Sequence, residues 1–297
     1  MGTLSRADAS PFERLGVVGL GLIGGSVALA AKRRWPSIVV TVCDPAPTSV
    51  EAVTQGLASA IVDAPADLTD CDLIVIATPV QTVPGIIQAL SEAGVRGLVT
   101  DVGSTKRTVM AAAGASRLVF VGGHPMVDTS SPGSPGSPGA SGLAGARADL
   151  FDDRPWLLVS GLPERPQGPT VADGRAGPAD GISPAVLEAL LATFVVGLGA
   201  RLEWTDAVTH DKVMAHVSHT PQLVSTALTS ASPSDAWLGI LETNADFIAD
   251  ALETITQKLP TSAEALTSTP LVRDVLARAR ALKRQGFEQG APRKTDA

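Results

Sequence analysis

A doubly wound α/β domain followed by an all-α domain is the architecture this sequence predicts, and three observations predict it. Short apolar, β-branched runs alternate with helix-length segments through the first two-thirds of the chain. A glycine-punctuated loop, Gly19-Leu20-Gly21-Leu22-Ile23-Gly24, stands between the first run and the first helix. After Thr205 the strand signal stops and only helix-like segments follow. Repeated strand–helix units imply a parallel sheet with right-handed crossovers and helices on both faces.

Leu15 to Leu20 reads as a buried strand and Ile23 to Arg34 as a helix rich in Ala, Leu and Val. Lys32-Arg33-Arg34 close that helix, where cations suit the dipole. Each glycine between strand and helix has a physical use. The first permits a tight turn, the second lets a pyrophosphate approach the backbone, and the third lets helix and strand pack closely. The helix start adds unpaired N–H groups and a positive dipole end. Ile38 to Cys43 is the second strand, and Asp44 stands at its end, twenty residues after Gly24. A carboxylate there accepts hydrogen bonds from an adenosine ribose and repels a 2′-phosphate. This is a Rossmann-type nucleotide-binding unit favouring NAD over NADP, with Gly19, Gly21, Leu22, Ile23, Gly24 and Asp44 against the cofactor.

The alternation continues. Thr48 to Gln55 reads as a short helix. Asp72 to Ala77 is a strand covered on both faces, ended by Thr78-Pro79, and Val83 to Ala93 is a helix. Leu98 to Val102 is a strand, Gly103-Ser104-Thr105-Lys106 a polar turn and Arg107 to Ala113 a helix. Leu118 to Val121 is a strand stopped by Gly122-Gly123. Two stretches, about 129–146 and 161–183, are flexible loops; the first repeats Ser-Pro-Gly and the second is rich in Pro, Gly and Ala. Trp156 to Val159 and Ala200 to Trp204 are strands, with a helix over Pro184 to Val196 between them. The nucleotide-binding domain therefore spans 1–205 and the helical domain 206–297. The latter holds helices over 208–230, 235–259 and 262–285. Leu238, Leu241, Ala245, Ile248 and Leu252 recur at three- and four-residue steps, an apolar face suited to a homodimer.

Composition excludes several functions. The net charge of −7 comes without a basic patch, so nucleic acid is not the partner. The two cysteines, Cys43 and Cys71, flank strands and read as core thiols, neither a disulfide framework nor metal ligands. No apolar stretch has membrane-spanning length, and Met1 to Pro11 lacks a signal-peptide core. The expectation is a cytoplasmic protein acting on a small molecule.

Ligands of such sheets bind beyond the carboxyl ends of the strands. Thr78, Ser104 and His124 follow three of them. His124, in Gly122-Gly123-His124-Pro125-Met126, stands where an imidazole can accept a proton from a hydroxyl while the carbon beneath loses hydride. The other three histidines, His210, His216 and His219, share one helix. No Cys or acidic residue completes a metal set with them, and Asp211, next to His210, is expected to point elsewhere.

The motifs together resemble the prephenate/arogenate dehydrogenase family of tyrosine biosynthesis. The matching pieces are Val18 to Ser26, Ala77-Thr78-Pro79, Thr100 to Lys106, Gly122 to Met126, and His210-Asp211 followed by Ser218-His219, in family order. The resemblance implies that NAD⁺ takes hydride from the carbon bearing the ring hydroxyl while the ring carboxylate leaves as CO₂, giving 4-hydroxyphenylpyruvate from prephenate. It implies His124 as acceptor of the hydroxyl's hydrogen bond and Ser104 as its orienting partner. Thr78, Pro79 and Asp101 would lie on the cofactor, with Ser104, His219 and Gln222 on the substrate and no metal. Arogenate, giving tyrosine, is the alternative substrate. The chain holds no tyrosine; an enzyme needed when tyrosine is scarce gains from this, an idea that tyrosine-rich relatives would sink.

The sequence departs from the family pattern at three places. Gln222 stands where the family has a second histidine, and Val127-Asp128-Thr129-Ser130 replaces its Ala-Gly-Ser-Glu. The family's arginine-bearing segment after the first long helix has no match, since Thr229 to Pro233 runs straight into Asp235-Ala236-Trp237. Arg147, Arg154 or Arg273 is the candidate substitute for its carboxylate-binding cation, and nothing in the sequence selects one of them. Two other readings follow: a β-hydroxyacid dehydrogenase using Lys212, and an NAD-binding sensor with weakened catalysis.

Overall fold

The computed structural model describes residues 9–44, 56–127, 142–160, 182–229 and 235–268. The helix expected over 48–55, most of both expected loops and the chain beyond 268 lie outside these residues.

Eight strands form one sheet: β1 (Arg14–Val18), β2 (Val39–Cys43), β3 (Ala60–Val62), β4 (Leu73–Ile76), β5 (Leu98–Asp101), β6 (Val119–Pro125), β7 (Pro155–Val159) and β8 (Arg201–Thr205). Their order is β3-β2-β1-β4-β5-β6-β7-β8. The first six run parallel. β7 runs antiparallel to β6, and β8 parallel to β7. The chain winds outward in opposite directions from β1 and β4, which makes the crevice at their carboxyl ends the switch point where doubly wound sheets bind ligands.

Alternation sorts the strand side chains into two cores. Leu15, Val17, Leu73 and Val75 belong to one, with α1 (Leu22–Arg34) and α4 (Pro184–Gly197). Val18, Ile74 and Ile76 belong to the other, with α2 (Val83–Glu92) and α3 (Arg107–Gly114). Side chains of neighbouring strand residues point to opposite faces, so the two cores lie on opposite faces of the sheet. In the first core Phe194 stacks on Trp35 with centroids 5.4 Å apart and meets Phe12 edge-on at 5.9 Å.

The glycine loop follows β1 as its spacing predicts. Gly19 has φ of +92°, and a Cβ there would stand 2.7 Å from the Ala77 carbonyl oxygen. A Cβ on Gly24 would stand 1.9 Å from the Gly19 carbonyl oxygen, so helix and loop touch there.

Beyond β8 the described residues are helical: α5 (Ala207–Met214), a π-helical turn (Ala215–His219), α6 (Thr220–Thr229), α7 (Asp235–Thr243) and α8 (Ala245–Ser268). Several details differ from the sequence reading: β3 was not expected, and α8 runs on through 260–261, where two expected helices were separate. Strand β6 does not stop at Gly122 but runs on through His124, which pairs with Leu157 of β7. The two glycines tolerate extended backbone, and the antiparallel neighbour supplies the ladder that continues the strand. The helix expected over 208–230 is interrupted by the π turn, and that expected over 235–259 breaks at Asn244. Its expected apolar face is divided accordingly. The chain falls into two compact units, Met1–Ala245 and Asp246–Ala297; Leu238 and Leu241 lie in the first, Ile248 and Leu252 in the second.

Phe194 is 1% exposed. Phe194→Ala is expected to cost about 3–5 kcal/mol by removing a stacked ring from a closed core, measured as a lowered urea midpoint with unchanged slope.

Candidate active site

Two carboxylates organise the carboxyl edge of the sheet. Asp101 ends β5 and is completely buried. Its carboxylate accepts the N–H of Gly103 at 2.9 Å and of Gly123 at 3.0 Å, and pairs with the Lys106 ammonium. It thus ties the Ser104 turn to the strand that carries His124. Lys106 is buried as deeply as its partner. Burial pushes the Lys106 pKa down, against the pull of Asp101 and Asp211.

The second carboxylate is Asp211 of α5. Its Oδ1 accepts the Lys106 N–H at 2.7 Å, and its Oδ2 accepts the Arg107 N–H at 2.9 Å. These are N–H groups at the start of α3, and Lys106 in the N-cap position provides no side-chain cap. Asp211 therefore does from a distance what a capping side chain does locally. The Arg107 Nε adds a longer bond at 3.3 Å. Burial raises the Asp211 pKa, but the His210 hydrogen bond and the two backbone N–H groups outweigh it and hold the carboxyl below its usual range. Helix α5 itself begins on Asp206, whose Oδ1 accepts from Val208 and Thr209 at 3.0 and 2.9 Å.

Between these carboxylates lie the imidazoles. His124 Nδ1 is 2.9 Å from His210 Nε2, and His210 Nδ1 is 2.8 Å from Asp211 Oδ1. Desolvation, reinforced by His210, Lys106 and His219, drives the His124 pKa well below the ordinary histidine value. His124 is neutral at physiological pH. Asp211 thus points at its neighbour His210, contrary to the sequence expectation, because both side chains are buried at the mouth of α3, where the Lys106 and Arg107 N–H groups draw the carboxylate in.

His219 sits in the π turn. A π turn rotates the side chains after it and is a frequent mark of functional sites. Asn244, at the break between α7 and α8, donates to the Asp211 carbonyl at 2.8 Å and lies 3.1 Å from His219 Nδ1. The Arg107 Nη2 reaches Asn244 Oδ1 at 3.3 Å. The Trp237 ring meets His219 edge-on at 6.0 Å. The buried Nε2 of His219 has no hydrogen-bond partner among the described residues. Burial lowers the His219 pKa to about 4.

The structure thus brings His124, Ser104 and Asp101 onto one framework, with His219 attached through Asn244 and Asp211. Gln222 is exposed on α6. The remaining expected residues gather around the glycine loop. Gly21 caps α1, and no atom lies within 4 Å of where its Cβ would be. Leu22 and Ile23 begin the helix and are half-buried. Asp44 Oδ2 accepts the Leu20 N–H at 2.6 Å. Thr78 lies against Gly19, where a Cβ would come within 2.9 Å of Thr78 Cγ2, and its hydroxyl accepts from Thr82 at 2.8 Å. Pro79 follows, exposed. Of the arginines considered for the anion, Arg147 pairs with Asp149, Arg154 is exposed, and Arg273 lies outside the described residues. The sequence reading missed His210, Asn244 and the burial of Lys106. The adjacent His-Asp pair and the lysine inside the Gly-Ser-Thr-Lys turn were the available signals.

A family model described as the prephenate dehydrogenase nucleotide-binding domain matches residues 27–164. That match assigns residues 27–164 to the prephenate dehydrogenase family. It is 31% identical to prephenate dehydrogenase of Bacillus subtilis over 222 residues, 71% of this chain and 52% of that one. Prephenate dehydrogenase of Lactococcus lactis is 25% identical over 222 residues, 73% of this chain and 53% of the relative. The chain thus spans about half the length of these curated family members. A structure of Aquifex aeolicus prephenate dehydrogenase with hydroxyphenyl propionate and NAD⁺ superposes with a TM-score of 0.71 at 21% identity, covering 93% of this chain and 98% of that one. That likeness is one of fold.

The buried neutral imidazoles give stability a defined pH dependence. An unfolded histidine takes a proton below about pH 6.5, whereas native His219 refuses it until about pH 4. Unfolding free energy is therefore expected to be level above about pH 6.5 and to fall as pH drops from there toward 4. His124 adds loss of the same sign. Urea midpoints measured across that range check this, and His219→Gln should flatten part of the slope.

Proposed function

We propose that this protein catalyses the NAD-dependent oxidative decarboxylation of prephenate to 4-hydroxyphenylpyruvate. The observation that carries the reading is His124, a buried neutral imidazole tied through Asp101 to the Ser104 turn at the ligand-binding edge of the sheet. The named relatives and the NAD⁺-bound structural neighbour support it. The glycine loop fits a dinucleotide. Open space at Gly21 and the first N–H groups of α1 suit its phosphates. Asp44 would take a ribose hydroxyl, since a carboxylate oxygen holding one N–H still has a second lone pair. NAD⁺, when bound, supplies the hydride acceptor.

The chain's own residues then do the following. His124 accepts the hydrogen bond of the ring hydroxyl and polarises the O–H as the carbon bearing it loses hydride. Ser104 orients that hydroxyl, and His219 offers its unpartnered Nε2 to the substrate. Thr78 and Pro79 border the cofactor, while Asp101 shapes that end of the site through Gly103 and Gly123. Loss of the ring carboxylate as CO₂ makes the ring aromatic, which drives the step. On this reading the enzyme serves tyrosine biosynthesis in the cytoplasm. It would work as a homodimer through its helical segment, where Val213, Val217 and Val224 are exposed.

Purified protein is expected to form reduced nicotinamide from NAD⁺ with prephenate, and much less from NADP⁺. His124→Asn should lower kcat by about 100- to 10,000-fold, with the Kd for NAD⁺ unchanged. Turnover of arogenate in place of prephenate would reassign the substrate; turnover of neither, with NAD⁺ still bound, would leave a sensor. Because His124 resists protonation, wild-type kcat/KM should hold as pH falls below about 6.5, the ordinary histidine value.

A further inference from the structure

The contacts of Asp211 decide where protons sit on two imidazoles. Its carboxylate receives the N–H groups of Lys106 and Arg107, the Arg107 Nε–H and His210 Nδ1, and its pKa is held down, so it is an ionised acceptor. His210 Nδ1 must then carry a proton. In neutral His210 the other nitrogen, Nε2, is a bare acceptor. His124 Nδ1 lies 2.9 Å from it and must be the donor. His124 is neutral as well, so its own Nε2 carries a lone pair and no proton. Every link follows from the one before, and the chain starts at a carboxylate that the fold of α3 requires.

We propose that His210 and Asp211 are positioning residues that lock His124 in the Nδ1–H tautomer, making its Nε2 a permanent hydrogen-bond acceptor, and that they carry the positive charge when that nitrogen takes a proton. The proposal rests on the reading of His124 as the acceptor of the substrate hydroxyl. A free histidine prefers the opposite tautomer, with the proton on Nε2, which would donate toward the substrate and oppose the reaction. Locking removes that wasted state.

The step balances. As hydride leaves carbon, the hydroxyl proton moves to His124 Nε2, and the His124 Nδ1 proton moves to His210 Nε2. His124 is then neutral again in its other tautomer, and His210 is an imidazolium against the Asp211 carboxylate. When the ring carboxylate has left as CO₂, both protons return and the hydroxyl of the aromatic product is restored. No net proton is released. The surroundings favour this placement. His124 faces Lys106 and His219 besides His210, whereas His210 has the carboxylate of Asp211 at 2.8 Å. A positive charge is repelled at the first position and held at the second.

Nitrogen-15 imidazole shifts test the lock without any substrate, so the outcome is separate from whether prephenate is turned over. In wild-type protein at neutral pH, His124 and His210, assigned by their loss in His124→Asn and His210→Gln, are expected to show protonated Nδ1 and bare Nε2. On acidification within the folded range, His124 is expected to remain singly protonated, with its proton on Nδ1. His210→Phe, which offers no acceptor, should release His124 to the Nε2–H form and lower kcat by about 100-fold or more, with the KM for NAD⁺ unchanged. His210→Gln can still accept the Nδ1 proton through its carbonyl but cannot take charge. It should keep the His124 tautomer and lose only about 10-fold in kcat. A wild-type His124 protonated at Nε2, or one that keeps Nδ1–H in His210→Phe, overturns the lock. A His210→Gln variant that keeps full kcat overturns the charge transfer.

Discussion

The Asp211 carboxylate is the point on which the rest of this site depends. It sits on α5 yet closes the N-terminus of α3, a helix of the sheet core, and receives four donors at once. The first N–H groups of a helix have no partner within it, and leaving such groups buried and unmet costs about 1–3 kcal/mol each. A local Ser or Asp cap would meet that demand cheaply. This chain meets it from a hundred residues downstream, so the sheet domain completes α3 only when α5 is seated. The same carboxylate then fixes His210, and His210 fixes His124. Fold closure and site assembly are one event.

Asp101 and Lys106 form a second layer beneath that contact. The pair is fully buried, and such pairs cost so much desolvation that they rarely add stability over an apolar substitute. Geometry is the better account of it here. Asp101 also holds the N–H of Gly103 and of Gly123, and neither glycine has room for a larger residue. A Cβ on Gly123 would stand 2.4 Å from the Asp101 carbonyl oxygen, and one on Gly103 would stand 2.8 Å from its carboxylate. Turn and strand therefore close on one carboxylate, and Lys106 stops that carboxylate from being an isolated buried charge. Because the Lys106 backbone N–H also bonds Asp211, the two layers share a residue.

The sheet was legible in the sequence because its signals are local. Apolar β-branched runs, a glycine loop and strand-end polar residues are each read within a few positions, and β1, β2, β4 and β5 lie where those signals put them. The residues expected against a cofactor, Gly19, Gly21, Gly24 and Asp44, also came from short-range spacing, and Asp44 bonds the Leu20 N–H of the glycine loop. What was not legible depends on partners distant in sequence. The extension of β6 through His124 needs the antiparallel β7, and the setting of His219 involves Asn244, which bonds both His219 and the Asp211 carbonyl. Adjacent His210 and Asp211 looked divergent by helix geometry alone. Only the α3 N-terminus, invisible in a local reading, turns them toward each other.

That arrangement bears on the anion the substrate would bring. The cluster holds two cations, Lys106 and Arg107, each paired with a carboxylate, Asp101 and Asp211. Two positive and two negative groups leave the cluster with no net charge, so desolvation governs His124 and keeps it neutral. A surplus carboxylate beside it would favour the imidazolium and weaken it as an acceptor. A surplus cation would hold a substrate carboxylate but would also oppose any proton passing to the imidazole. Separating the two tasks resolves the conflict. On the proposed reaction, the proton acceptor would belong inside a balanced, buried cluster, and a cation for the ring carboxylate would belong on another element, outside this hydrogen-bonded set.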